Sequence, residues 1–371
     1  MSISKEIKKA KRKFKSWIFK NKFKKNDFKK SKRLVLFFVP KEVDVISGGI
    51  LSICTIYKIV KELEELHNCN VVASFLPNVK GIDYKFSKFE NDMVIFNFNE
   101  ITKYFKDLEF LEVHIPDYMV PLFKENNPDL VSFNNWVFKS NFFKINILNQ
   151  NDLLMPDLKH VKDLKKWVPN LTMTVAHEKY ATIERRNYYD IPLHLLSPWL
   201  SPSPYKTRSF SDKDNCIVLS PDEIDRVPSD TMVTKEGIIS KLKHMLPEYE
   251  IIIIQNMTYD EYKETISRAK FTITFGEGLD GYFVESIFSG SISFAVYNDI
   301  FFKPDFQGLP SVYDSFDLLL ENIIKDIKHF ENPEKYTEYN SKLNIMLSKI
   351  YSYKRLQDNV TNYYKGNIDF K

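Results

Sequence analysis

Glycine and cysteine are both scarce in this chain. Ten glycines in 371 residues exclude a collagen-like or Gly-rich low-complexity protein. The three cysteines, Cys54, Cys69 and Cys216, have no metal-type spacing and no even pairing. Neither a disulfide framework nor a zinc ribbon is therefore expected, and the usage fits a reducing cytoplasm. No apolar run approaches the ~20 residues of a membrane span. A continuous apolar segment of the signal-peptide kind is also missing. No His-Glu-x-x-His, Gly-x-Ser-x-Gly or Walker A pattern occurs, which argues against a zincin, an α/β-hydrolase or a P-loop NTPase. Asn170-Leu171-Thr172, Asn256-Met257-Thr258 and Asn359-Val360-Thr361 match the N-glycosylation pattern, and in a cytosolic chain they are chance matches.

What is present is a large apolar fraction, 43%, with 27% charged residues. That is enough to build two cores, and the length fits two domains of ordinary size. The net charge of +4 hides an asymmetry: residues 1–33 carry 15 Lys/Arg against 2 Asp/Glu, leaving 38 against 47 in the rest. Within the basic segment Ile3, Ile7, Ala10, Phe14 and Trp17/Ile18 recur at helical spacing with lysines between them. This predicts an amphipathic helix suited to an anionic membrane surface. A solvated tail, or a helix packed on its own body, is the plainer alternative. A nucleic-acid arm is a poorer one, because nothing downstream resembles a nucleic-acid module.

From Leu34 onward, short apolar strands alternate with amphipathic helices. Strands are expected at Leu34–Val39, Val71–Phe75, Met93–Phe96, Phe110–His114, Phe143–Leu148 and Leu171–Ala176. Helices are expected from Ile50 to Leu66 and over Lys179–Tyr188. The stretch Ser197-Pro198-Trp199-Leu200-Ser201-Pro202-Ser203-Pro204 cannot hold a helix and reads as a linker. The pattern then repeats through strands at 216–219, 251–254, 271–275 and 293–296, and a helical region follows from Ser315. Uninterrupted apolar strands alternating with helices mean parallel sheets covered on both faces. The expected organisation is a basic segment 1–33, an α/β domain 34–205, an α/β domain 206–345 and a helical tail 346–371.

The most informative stretch is Thr274-Phe275-Gly276-Glu277-Gly278-Leu279-Asp280-Gly281-Tyr282-Phe283-Val284-Glu285. It follows a strand and opens a helix, and it holds three of the ten glycines. Such glycines let backbone approach a ligand, and a helix start offers free N–H groups to a phosphate. From the residues alone, Glu277 and Glu285 either face one cleft or are a favourable N-terminal charge and a solvated helix residue.

Glu277…Glu285 resembles the Glu-x7-Glu motif of retaining GT-B glycosyltransferases, at the place where that family carries it. The resemblance implies two Rossmann-like domains around a cleft that binds a nucleotide-diphosphate sugar. It implies that Glu277 contacts the donor sugar, that the Gly278, Leu279, Asp280, Gly281 and Tyr282 backbone approaches sugar and phosphates, and that Glu285 binds the ribose. The family has Gly-Phe-Gly-Leu-Pro between its glutamates, so Asp280 adds a charge near the pyrophosphate position. Gly48-Gly49 is similar to the family's glycine-rich loop after the first strand, and Lys235-Glu236-Gly237 to the lysine that neutralises the diphosphate. Arg226 lies where the family often has an arginine. His114 and His177 end two expected strands, where related enzymes hold a histidine against donor or acceptor; a histidine bonded locally to backbone fits each equally well. Asn149-Gln150-Asn151 follows another strand and suits sugar hydroxyls. Asp212-Lys213-Asp214 matches an Asp-x-Asp metal motif but sits in polar linker, and is expected to be a solvated loop.

The resulting expectation is a retaining glycosyltransferase of the kind that builds bacterial capsule, O-antigen or other surface glycans. It would use a nucleotide sugar and no metal or other cofactor. Its acceptor would be a glycan or a lipid-linked sugar, and the basic segment would hold it at the inner face of the plasma membrane. A homodimer would pair through the aromatic-rich C-terminus and the N-terminal helix. A retaining phosphorylase and a non-catalytic carbohydrate-binding or assembly subunit are the alternatives.

Overall fold

The computed structural model describes residues 28, 31–41, 46–79, 85–150, 155–201, 204–224 and 232–371. The basic amphipathic helix expected within residues 1–33 falls almost wholly outside them.

Two parallel sheets organise the chain. The first contains β1 (Arg33–Phe38), β2 (Asn70–Ser74), β3 (Ile95–Phe96), β4 (Phe110–Pro116), β5 (Phe142–Asn149), β6 (Leu171–Val175) and β7 (Leu193–Leu195) in the order β3-β2-β1-β4-β5-β6-β7. The second contains β8 (Asp214–Leu219), β9 (Glu250–Ile253), β10 (Ala269–Ile273), β11 (Ile292–Val296) and β12 (Val312–Tyr313) in the order β12-β11-β10-β8-β9. The order runs outward from β1 in both directions in the first sheet, and likewise from β8 and β10 in the second. These are doubly wound, Rossmann-like arrangements with helices on both faces.

The apolar runs explain the layers. Leu34, Leu36 and Phe38 of β1 enter one core, while Val35, Phe37 and Val39 enter the other. A strand buried on both faces needs no polar alternation, which is why its sequence is continuously apolar. The second of these cores continues into the other half through Cys216 and Val218 of β8 and Tyr259, Tyr262 and Ile266 of the helix Tyr259–Arg268. Capping residues start the helices that matter here. Ser47 Oγ accepts from the Ile50 N–H to open the helix Gly48–Glu62, and Thr258 and Glu261 form a reciprocal capping box on Tyr259–Arg268.

Two expectations need correction. A single helix over Lys179–Tyr188 is replaced by a short turn at Glu178–Tyr180 and a helix at Ile183–Tyr189 that Thr182 caps. Lys213 is not in a solvated loop: it is buried, and its Nζ donates to the Ser267 and Ser289 carbonyls and to Ser291 Oγ.

The end of the chain returns to the first sheet. The terminal helix Tyr353–Tyr364 packs on Gly48–Glu62, and Phe370 exchanges backbone hydrogen bonds with Leu193 of β7. Tyr363 Oη donates to Glu112 Oε1 at 2.6 Å, and Tyr364 Oη lies 2.9 Å from His114 Nε2. Tyr363 and Tyr364 of the aromatic tail are thus engaged by their own chain.

Candidate active site

The cleft between the sheets has a volume of about 920 Å³, within the ~300–1,000 Å³ of small-molecule sites. The C-terminal ends of strands from both sheets open onto it. From the first half come Gly48, Gly49, Asp117, Gln150 and His177; from the second come Asp222, Gly276, Glu277, Leu279, Asp280, Gly281, Tyr282 and Glu285. Pro198 and Leu200 of the linker also line it. A Cβ at Gly48 would lie 3.3 Å from one methyl of Leu200, and a Cβ at Gly281 3.2 Å from the other. Two helix N-termini, one from each half, therefore converge on Leu200, and a side chain at either start would have to displace its methyls by a few tenths of an ångström.

Glu285 is buried on the helix Gly281–Phe288, yet it lines the cleft. Its Oε1 accepts from Tyr259 Oη at 2.5 Å and from Tyr205 Oη at 3.0 Å. Its Oε2 lies 4.0 Å from a Cβ built at Gly281. Burial pushes the carboxyl above its ordinary value, and the phenols work against that shift. Tyr259 and Tyr262 sit one turn apart on the same helix, so their rings share a face, and Tyr262 meets Tyr282 edge-on at 5.7 Å. Sequence reading missed these tyrosines; their spacing of three residues was the available signal.

Glu277 lines the cleft and is half-buried. Gly278, expected beside the phosphates, is not among the lining residues. Its φ is +87°, and a Cβ there would meet Phe302 Cε2 and the Val296 carbonyl at 2.6 Å. Its role is to fit the turn beneath Glu277. Asp280 caps the Gly281 helix: Oδ1 accepts from the Phe283 N–H at 3.0 Å and Oδ2 from Thr274 Oγ1 at 2.5 Å. The helix start expected to face a phosphate is thus partly taken by a carboxylate. Burial first, then Asp222 and Glu277, push Asp280 up to about 7.

Two expected residues are elsewhere, and a third is not described. His114 is not in the cleft. It is stacked on Phe37 with ring centroids 4.4 Å apart, its Nδ1 accepts from Asn146 Nδ2 at 3.1 Å, and it contacts the terminal helix. It lies within β4 rather than at its end, because β4 runs on to Pro116. Lys235 is also off the cleft surface. It is 5% exposed, and its Nζ donates to the Asp222 carbonyl at 2.9 Å and lies 5.4 Å from the centre of the Phe275 ring. Arg226 falls outside the described residues.

His177 does face the cleft, and burial pulls its pKa down to about 4, so its imidazole is neutral at pH 7. The next residue ties the halves together: Glu178 pairs with Lys303 of the second half at 2.6 Å and with Arg355 of the terminal helix. Among the described residues, the charged side chains lining the cleft are Asp117, Asp222, Glu277, Asp280, Glu285 and a single cation, Lys88.

No sequence-family profile and no curated protein matches this chain. Solved structures do resemble it in fold. HepE of Anabaena, crystallised with UDP-glucose, superposes with a TM-score of 0.53 at 10% identity over 90% of this chain and 99% of that one. The sucrose-phosphate synthase of Thermosynechococcus elongatus gives 0.52 at 10% identity over 90% and 98%. A Listeria monocytogenes protein assigned as a UDP-N-acetylglucosamine 2-epimerase gives 0.51 at 9% over 91% and 96%. The architecture is GT-B.

Proposed function

We propose that this chain is a glycosyltransferase that moves a sugar from a nucleotide-diphosphate sugar to a hydroxyl of a glycan or lipid-linked acceptor. The observation that carries the reading is the meeting of Glu277, Glu285 and Gly281 with Gly48-Gly49 in one cleft between two Rossmann-like sheets. The likeness in fold to HepE, which binds UDP-glucose, supports it.

In this reading Glu285 receives the ribose hydroxyls through Oε2, with Oε1 fixed by Tyr205 and Tyr259. Glu277 binds the donor sugar. The N–H groups that open the Gly48 helix face the diphosphate. The acceptor oxygen bonds to the anomeric carbon as the bond to the diphosphate breaks, and the hydroxyl proton passes to the departing phosphate oxygen. Catalysis is then positioning and charge stabilisation in a closed, water-poor site. Retention is the course that the Glu-x7-Glu resemblance implies, and no metal or other cofactor is proposed. Assembly of bacterial surface polysaccharide at the inner membrane face, with residues 1–33 on anionic lipid, completes the proposal.

One observation favours a second reading. Lys235 is withdrawn from the cleft and Asp280 occupies a helix start, which weakens diphosphate binding and suits a non-catalytic carbohydrate-binding subunit on the same fold. Chromatography of nucleotide release from a panel of UDP-, GDP-, CMP- and dTDP-sugars decides between them. Turnover of one donor, lost in Glu277→Gln, supports the transferase; no turnover of any donor by folded protein supports the binding subunit.

A further inference from the structure

The wall of the cleft formed by the first half holds a carboxylate that the donor site leaves unused. Asp117 is the first residue beyond β4, at the strand end where a parallel sheet meets its ligands. It is 4% exposed. The Tyr118 N–H donates to Oδ1 at 2.7 Å, Asn149 Nδ2 donates to Oδ2 at 2.8 Å, and the Gln150 N–H donates to Oδ2 at 3.3 Å. Asn149 ends β5, so the carboxylate is pinned between two neighbouring strand ends.

A carboxylate has about four acceptor positions, and these donors take three. Among the described residues no lysine, arginine or histidine forms an ion pair with Asp117. A buried anion without a counter-charge destabilises the fold, and burial pushes this one up to about 6. Among the described residues the group is oriented, nearly satisfied and uncompensated, with one acceptor position left. Tyr118, Gln150 and the neutral His177 line the same cleft, all able to hydrogen-bond and none cationic. Among the described lining residues the one lysine is Lys88, whose carbonyl accepts from the Tyr259 N–H and which therefore lies beside the helix that carries Tyr259.

We propose that Asp117 anchors the acceptor by accepting a hydrogen bond from its attacking hydroxyl, and that it selects a neutral, hydroxyl-rich acceptor terminus over a phosphorylated or carboxylated one. The inference rests on the transferase reading above. Asp117 holds the hydroxyl and gains no proton overall: the acceptor oxygen joins the anomeric carbon, the diphosphate leaves with the bonding pair, and the proton goes to the diphosphate.

The test uses the full chain and whichever nucleotide sugar of the UDP, GDP, CMP and dTDP panel it hydrolyses. Octyl β-glucoside is the neutral acceptor probe and glucose 6-phosphate the anionic one. The wild type should transfer to the glucoside at least ten-fold more efficiently than to the phosphate. Asp117→Asn should lose at least ten-fold in kcat/KM for the glucoside, mainly through acceptor KM, and keep its donor KM; Asp117→Glu should restore part of the loss. Equal use of the glucoside by Asp117→Asn, or a wild-type preference for glucose 6-phosphate, overturns the assignment. The charge preference of the wild type stands even if a variant misfolds. Failure to hydrolyse any donor sinks the transferase reading itself, a result distinct from normal turnover with no role for Asp117.

Discussion

Tyr259 donates its phenolic proton to Glu285 across 2.5 Å, and both side chains are buried at the edge of the cleft. The two residues lie on different helices of the second half. The bond therefore fixes the carboxylate from outside its own helix and leaves the other oxygen toward Gly281. A hydrogen bond to a charged group contributes about 1.5–3 kcal/mol. Tyr259→Phe should lose stability of that order in urea unfolding and weaken nucleotide binding. An unchanged unfolding midpoint would mean that Tyr205 alone holds Glu285.

Gly278 and Gly308 both have positive φ, but their surroundings differ. A Cβ at Gly278 meets Phe302 and the Val296 carbonyl, while nothing lies within 4 Å of one at Gly308. Gly308→Ala should cost about 1–2 kcal/mol, from the left-handed backbone alone. Gly278→Ala adds overpacking, for about 2–5 kcal/mol in total, and should displace Glu277. Comparison of the two by denaturant unfolding separates backbone strain from clash.

The Asp280 carboxyl has a folded pKa of about 7 against an ordinary value of 3.8. Between those values the folded state holds the extra proton, so ionisation on raising the pH through this window removes stability. Asn caps helices as well as Asp, and Asp280→Asn imitates the protonated form. The variant should melt higher than wild type above pH 7, with the gain shrinking as the pH falls toward 4. A pH-independent difference would contradict the assignment.

Tyr363 bonds Glu112, which is buried between Lys144 and His114. Lys144 and His114 hold that carboxyl below its ordinary value against the opposing effect of burial, and the Tyr363 bond adds to the lowering. Tyr363→Phe leaves the anion short of one donor, at a cost of about 1–3 kcal/mol. Differential scanning calorimetry should show a lower melting temperature without loss of the nucleotide-induced shift, since the network is not in the cleft.

Much of this architecture is readable in the residues because buried parallel strands are written as unbroken apolar runs. Leu34–Val39 and Phe271–Phe275 mark their sheets, and the glycines of 276–281 mark the turn between strand and helix. Polar contacts made across the fold are not written locally. His114 and Tyr364 are 250 positions apart, and nothing near either announces the other. Lys213 looks solvated because its oxygen partners come from Ser267, Ser289 and Ser291, each distant in sequence. Lys235 is at the expected place in the chain, but its ammonium turns to the Asp222 carbonyl, a rotamer choice that spacing does not encode. Asp117 had a usable signal, a carboxylate directly after an apolar strand, which the nearby histidine obscured.

In the proposed function Glu285 holds the nucleoside of the donor. Thermal denaturation of wild type and Glu285→Gln against UDP, GDP, CMP and dTDP, with ATP and NAD as controls, tests it most directly, because a ligand of the folded state raises the melting temperature with its affinity. The melting temperature should rise with one nucleoside diphosphate in wild type and not in Glu285→Gln, whose fold survives because the phenols still have an oxygen to bond. A flat response in folded wild type, or an equal rise in the variant, would contradict it.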